Sequence, residues 1–458
     1  MSWPRYGRYK PSGVEWLGEL PAHWEVKPLK RVVRVAGGMT PDRSNPSFWD
    51  GDIPWVTAKD MKVSRLRDSE DHVSVQALRQ TGLRVIHPPA VLMVVRGMIL
   101  AHTLPVAEID APLTVNQDMK VLRAVGGLDS SYLAWVLRGS SAYTLSIADE
   151  SAHGTKALRS DALFDVPVPL PSVPEQRAIA AFIDRETARL DALIEKRRSM
   201  IALLQEKRAV LITHAVTRGL DPDVPLKDSG VAWLGQIPTH WDAVWLGSLA
   251  SLQTGPFGSQ LHAHEYVDDQ VPVVNPAEIR SGAIVADGQC TLTEIRARTL
   301  SRHRVNKDDL LFARRGEMGR CGIVRADQEG WLCGTGCLRV RVRRELLLPS
   351  YLNQFFRLNG VREYLELVSV GSTMQNLNTT LLGRIPVLLP PMREQILICE
   401  WLLAAVSRVA TAIENAERSI RLLTEYRASL ITAAVTGQID VRRTIAEPAT
   451  EADKEPAL

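Results

Sequence analysis

The chain has 458 residues, 45% of them hydrophobic and 23% charged, with a formal net charge of +3. That length calls for two or three domains rather than one, and the composition excludes a largely disordered or fibrous chain. With charge so near balance, nucleic-acid binding cannot rest on bulk attraction and needs local basic clusters.

In chain order, the opening MSWPRYGRYKPSG has no apolar signal region, and no run of about 18 uninterrupted apolar residues follows, so a cytoplasmic protein without membrane contact is expected. Residues 12–24 read SGVEWLGELPAHW, and residues 229–241 read SGVAWLGQIPTHW, identical at nine of thirteen positions. VLMVVRG (91–97) predicts a short strand and SSYLAWVLRG (130–139) a short helix. Past the proline cluster VPVPLPSVPEQ (166–176), about forty residues without Gly or Pro predict one long helix. The second half repeats the plan with LLFARRG (310–316), GCLRVRV (336–342), PSYLNQFFRLNG (349–360) and IPVLLPPMREQ (385–395).

Residues 171–221 align on 390–440 without a gap, at a constant offset of 219 and with twenty of fifty-one positions identical. Each half is therefore one copy of one unit. Along the first long helix Leu190, Ile194, Arg197, Ile201, Leu204, Arg208 and Leu211 alternate spacings of four and three; the same places in the second hold Val409, Ile413, Ala416, Ile420, Leu423, Arg427 and Leu430. A heptad seam on two equivalent helices predicts that they pair with each other.

The fold expected is thus α+β: two similar mixed α/β domains separated by two long helices paired as an antiparallel coiled coil, a pseudo-two-fold repeat. The divisions expected are 1–170, 171–221, 222–389 and 390–440, with a polar, disordered tail at 441–458.

Cys290, Cys321, Cys333, Cys337 and Cys399 all lie in the second half, so neither a disulfide framework nor a metal site of the shared fold is expected, and buried thiols are the better reading. His262 and His264 are read as part of a polar loop. Residues 302–344 carry eleven Lys and Arg against five acids, the one basic cluster of note.

The landmarks SGVEWLGELPAHW, TVNQDMKVL (114–122), LLFARRGEMGR (310–320), CGTGCLRVRV (333–342) and the P-L-P-x-x-x-E-Q opening of the first long helix together resemble the specificity subunits of type I restriction-modification systems, over about residues 6–440. The resemblance implies two target-recognition domains, each reading one half of an interrupted double-stranded DNA sequence. It further implies two modification subunits that methylate adenine, and restriction subunits that act as motor and nuclease. S-adenosylmethionine, ATP and magnesium are then expected on those partners, and no cofactor on this chain.

The chain itself lacks the tetrapeptides that hold a target base for methylation, and the dipeptide Gly-Lys of a nucleotide-binding loop never occurs. A non-catalytic recognition subunit is expected. Base-reading side chains should sit in loops beside strands. In the second copy these are Arg314, Arg315 and Arg320 with Gln375, Asn376 and Asn378; the corresponding places in the first give Arg96, Lys156 and Arg159, with Arg43, Lys59 and Arg65 as substitutes. One rival is a nuclease built on Asp42, Asp60 and Lys62, which would cut DNA alone with a divalent metal. A second is a coiled-coil scaffold without nucleic acid, which would fail to shift DNA on a gel. Within the family, a system with methylation and cleavage fused in one polypeptide is the alternative, and neighbouring genes separate it.

Overall fold

The computed structural model describes residues 3–150, 155–256, 260–280, 282–285, 288–369 and 377–443. The chain divides into two compact units, residues 1–197 with 418–458 and residues 198–417. Two long helices, α2 (Val173–Arg218) and α4 (Met392–Val435), each begin in one unit and end in the other, so the first unit is built from two separate stretches of chain and neither unit coincides with one sequence repeat. Their bounds fall a few residues inside the 171–221 and 390–440 expected.

In the first unit the core is a five-stranded sheet in the order Val33–Gly37, Met119–Ala124, Val91–Val94, Val106–Ile109, Arg65–Leu66. All four residues of Val91–Val94 are buried, as a near-continuous apolar run requires when both faces of a central strand are covered. Val121 sits opposite Ala36 on one side and Leu92 on the other. The helix α1 (Ser130–Gly139) packs its buried Leu133, Trp135 and Leu137 into this core, and Asp129 caps it by accepting from the Ser131 and Tyr132 amides.

The second unit repeats the plan with six strands: Ala250–Thr254, Cys337–Val342, Leu310–Ala313, Cys321–Ile323, Gly282–Ile284, Ile279–Arg280. Leu310–Ala313 is again wholly buried, and α3 (Pro349–Phe355) stands where α1 stands in the first.

The repeated sequence landmarks prove to be one clasp. The strand before each long helix pairs with the chain leaving the H-W dipeptide, Pro167–Leu170 with Glu25–Pro28 and Pro386–Leu389 with Asp242–Trp245. Glu175, in the first turn of α2, accepts from Trp24 Nε1 at 3.2 Å and Tyr6 Oη at 2.7 Å, with His23 Nε2 at 3.1 Å. Glu394 meets His240 at 2.7 Å and Trp241 Nε1 at 2.9 Å in the same way. The next residue ties the helix start to the loop before α1 or α3: Gln176 accepts from Asp129 N, and Gln395 from Leu348 N, both at 2.8 Å.

Each long helix ends against the clasp of the copy it did not open. Gly219, at φ +79°, lies on Trp241; Gly437, at φ +68°, lies so close to Pro21 that an added Cβ would come within 2.4 Å of its ring. Past Gly437, Asp440 N donates to Pro4 O at 2.7 Å and Val441 is fully buried. Val441–Arg443 therefore belongs to the folded first unit rather than to the tail expected from 441. The tail after 443 lies outside the described residues.

Along α2 between residues 195 and 211 only Ile201, Leu204, Arg208 and Leu211 are less than exposed; Leu190 and Ile194 are buried. On α4 Val409, Ala416 and Leu430 are buried, and Ile413, Ile420, Leu423 and Arg427 half-buried. Arg197 alone of the seam residues is exposed. Within the first unit Arg427 reaches Asp191: Nη2 donates to Oδ2 at 3.2 Å, and Nε lies 2.9 Å from Oδ1, out of line for a hydrogen bond. Among the described residues α4 is also the one helix long and apolar enough, by length and composition, to cross a membrane. Glu400 and Arg408 interrupt that apolar stretch, which is why it contains no unbroken run of the length sought in the sequence.

Candidate nucleic-acid interface

In each unit the buried central strand runs out into a loop, and a segment preceding a short helix is laced to that loop. In the first unit Leu158 N donates to Val95 O at 2.8 Å; Arg96 then stands opposite Ala157, and Lys156 opposite Gly97. Arg159 occupies the N-cap position of the helix Ser160–Phe164. The structure thus gathers Arg96, Lys156 and Arg159 at one junction, with Arg96 and Arg159 exposed and Lys156 half-buried. Arg159 pairs with Asp161, whose carboxyl that guanidinium holds down at about 2, and lies 3.7 Å from Asp149.

The second unit makes the same junction 219 residues on. Leu377 N donates to Arg314 O at 2.9 Å, and Arg314 Nε returns a bond to Leu377 O at 3.2 Å. Asn378 caps the helix Thr379–Gly383 by accepting from Leu381 N at 2.8 Å. Two of the expected base readers, Arg314 and Asn378, are therefore partly occupied in holding the loop together. Arg315 is exposed beside Gly316, whose φ of +83° turns the loop, and makes no side-chain ion pair among the described residues. Gln375 and Asn376 lie outside the described residues.

Much of the basic run of 302–344 is engaged by groups of its own unit, although seven of its eleven basic residues are exposed. Arg341 binds both oxygens of the buried Asp309 at 2.7 Å, Arg339 donates to the carbonyls of Arg302 and Arg304, Arg304 pairs with Glu294, Arg325 with Asp327 and Arg344 with Asp308. Alternation along Cys337–Val342 puts Arg339 and Arg341 on one face of an edge-proximal strand, where each finds sheet partners. In the first unit, Lys59 pairs with Glu70 and Asp71, and Arg65 with Asp110, while Arg43 lies over Trp49 and Trp55 at 5.3 and 5.5 Å.

The acids of the nuclease reading are used locally. Asp42 accepts from Ser44 N and Oγ, and Asp60 from Thr57 N and Oγ1 and from Glu70 N, so both carboxylates close turns. Cys321, Cys333 and Cys337 are buried, and burial pushes the Cys321 and Cys333 thiols up to about 12. Among the described residues no group of three His, Cys, Asp or Glu side chains is placed to hold a metal ion. His262 and His264 stack at 5.5 Å beside the turn Ala263–Glu265.

Two cavities beside the long helices escaped the sequence reading. In the first unit a cavity of about 770 Å³ is lined by Lys62, Arg138 and Arg427; in the second, one of about 250 Å³ is lined by Arg208, Arg320, Arg357 and Arg362. The signal was present in the sequence: Arg138 and Arg357 are 219 apart, as are Arg208 and Arg427. The latter two also hold heptad places of the seam.

The type I restriction modification DNA specificity domain, taken as a family model, matches residues 21–202 and again 238–422. Among characterised relatives, the EcoKI specificity subunit of Escherichia coli K12 is 23% identical over 443 residues, 92% of this chain and 90% of that one. The MjaIX specificity subunit of Methanocaldococcus jannaschii is 25% identical over 310 residues, 66% of this chain and 68% of that one. Among solved structures, a chain from a type I R-M system assembly superposes with a TM-score of 0.68 at 17% identity, covering 92% of this chain and 99% of the other. The HsdS subunit from Thermoanaerobacter tengcongensis gives 0.54 at 16%, covering 92% and 98%. A domain model found twice, on the two copies that the repeat and the clasp define, means that this chain belongs to the type I restriction-modification specificity subunits, the non-catalytic proteins that recognise DNA sequence for those systems.

Proposed function

We propose that the chain reads a bipartite DNA target, one half with each copy, and thereby directs adenine methylation and restriction by partner subunits. The observation that carries this is the doubled junction: one backbone framework in both units, presenting Arg96, Lys156 and Arg159 in one, and Arg315 and Asn378 at the matching places of the other. Equal scaffolds with unequal side chains suit two half-sites of different sequence, since phosphate contacts position a protein while base-edge contacts specify it.

On this reading α2 and α4 pair as an antiparallel coiled coil and act as the ruler between half-sites. Support comes from the half-buried heptad places, the Asp191–Arg427 contact, and the opposite order in which the helices traverse the two units. Two modification subunits carrying S-adenosylmethionine, and restriction subunits using ATP and magnesium, are the partners this reading requires, in a cytoplasmic complex. The test is methylation-detecting sequencing in cells expressing the chain with its modification subunit. The expected result is a new methylated adenine in an interrupted motif; no new methylation with an active modification subunit would overturn the reading.

A further inference from the structure

Two arginines recur at matching places in both copies. Arg138 lies at the end of α1 and Arg357 just past its counterpart α3, while Arg427 and Arg208 hold one heptad place of α4 and α2. Each pair, one arginine from the short helix and one from the long, lines a single cavity within its own unit. The two copies treat the pair differently. In the first unit Asp191 meets Arg427; Arg138 donates to the carbonyls of Val106 and Ser64, lies over Trp135, and feels the carboxylates of Glu108 and Asp184. In the second unit the places of Asp184 and Asp191 are taken by Leu403 and Ala410, and a further arginine, Arg320, stands in the strand register at the place of Pro105.

Among the described residues no carboxylate pairs with Arg208, Arg320 or Arg357. Arg320 Nε is buried without a hydrogen-bond partner. Burial, followed by the charge of Arg208, pulls the half-buried Arg357 guanidinium below its ordinary range. Among the described residues the cavity has one acid in its lining, Glu317, and Arg362 holds it at 3.2 Å. Several like charges around one small cavity are costly unless an anion joins them.

We propose that this cavity of the second unit is a phosphate-binding site, and that its occupant is a backbone phosphate of the bound DNA. The guanidinium forks offer more donors than the two oxygens of a carboxylate can absorb, and suit a tetrahedral oxyanion. Arg320 closes the same loop, 314–320, whose exposed Arg315 belongs to the proposed reading surface, so a duplex engaged there brings its backbone to the cavity. The source of the phosphate rests on the recognition reading; the cavity's preference for phosphate does not.

The test uses the full-length chain and two variants. Ala410→Asp restores the carboxylate of the first copy at an exposed helix position, and Arg320→Ala removes the orphaned donor. Inorganic phosphate, titrated calorimetrically against chloride at matched ionic strength, is expected to bind the wild type saturably and each variant at least tenfold more weakly, with unchanged melting curves. Duplex binding measured over a salt series should become weaker in both variants by the same factor on any sequence, and the slope of log affinity against log salt should flatten by about 0.9, one phosphate contact. Absence of phosphate binding by folded wild type, or equal binding by the variants, overturns the site. Phosphate binding that is lost while the duplex slope stays put would make the ligand free phosphate and overturn the DNA source. Variants that keep both and instead lose a protein partner would assign the cavity to that partner's carboxylate. If wild-type chain bound no duplex at all, the recognition reading would fall with the DNA source, and the phosphate titration would still decide the cavity.

Discussion

At the scale of residues, the clasp carboxylates differ in how much depends on them. Glu175 is 5% exposed and serves three side chains, whereas the Glu394 side chain is 36% exposed and serves two. Burial and the Glu175 contact together raise the Tyr6 hydroxyl far above its usual range, so it stays a donor at any ordinary pH. Replacing Glu175 by Ala leaves both Tyr6 and Trp24 without the oxygen they share, at a cost of about 2 kcal/mol or more, against about 1 kcal/mol for Glu394→Ala. Urea unfolding of the two variants measures the difference, and equal losses would contradict the unequal clasp. For recognition, Arg315→Ala is the cleaner probe than a variant that also removes Arg314, because the Arg314 Nε holds Leu377 O. Arg315→Ala should weaken binding to the second half-site alone, leaving the melting temperature unchanged; a duplex carrying only the first half-site serves as the control.

At the scale of elements, each long helix needs its glycine stop and its seam. Gly437→Ala would drive a Cβ into Pro21 and Trp24 at a positive φ, and should destabilise the chain by about 2 kcal/mol or more, while Gly230→Ala, with nothing within 4 Å, pays only the backbone term. Leu204→Asp with Leu423→Asp puts charges at two half-buried seam places, and a fall in thermal stability without DNA is expected. An unchanged melting temperature would remove helix pairing from the account. Lengthening the ruler calls for insertions inside both helices, near 204 and 423. Four residues add about 6 Å to each helix, roughly one turn, and the spacer between methylated half-sites should grow by one or two base pairs.

At the scale of the molecule, the first unit is completed by the last part of the second long helix, from residue 418, and by the chain just beyond it, with Leu430, Ile431, Ala434 and Val435 in its core. A chain stopped at Lys227 lacks them, but carries their counterparts Leu211, Ile212, Ala215 and Val216 at the end of α2. Two such chains can each complete the other, giving a symmetric dimer. Native mass measurement should find the dimer, and methylation mapping with modification subunits should find an interrupted palindrome. A folded monomer would show that the exchanged helix end is dispensable.

The sequence by itself determined the doubling, the presence of short strands and of two long helices, and the family, because these rest on local periodicity and on identities that repeat at one offset. Arg96, Lys156 and Arg159, named from the sequence as counterparts of the second copy's loop residues, come together at one strand junction. What only tertiary structure decided is which charges are already spent. Arg339 and Arg341 read as a basic patch until the strand pairing brings Arg302, Arg304 and Asp309 beside them. Arg208 and Arg427 read as seam places until the folded chain sets them beside Arg357 and Arg138 in two cavities. Units that borrow a helix end from the other copy were likewise beyond the reach of local pattern, because a heptad reports that a helix has a partner and not which core its last turns enter.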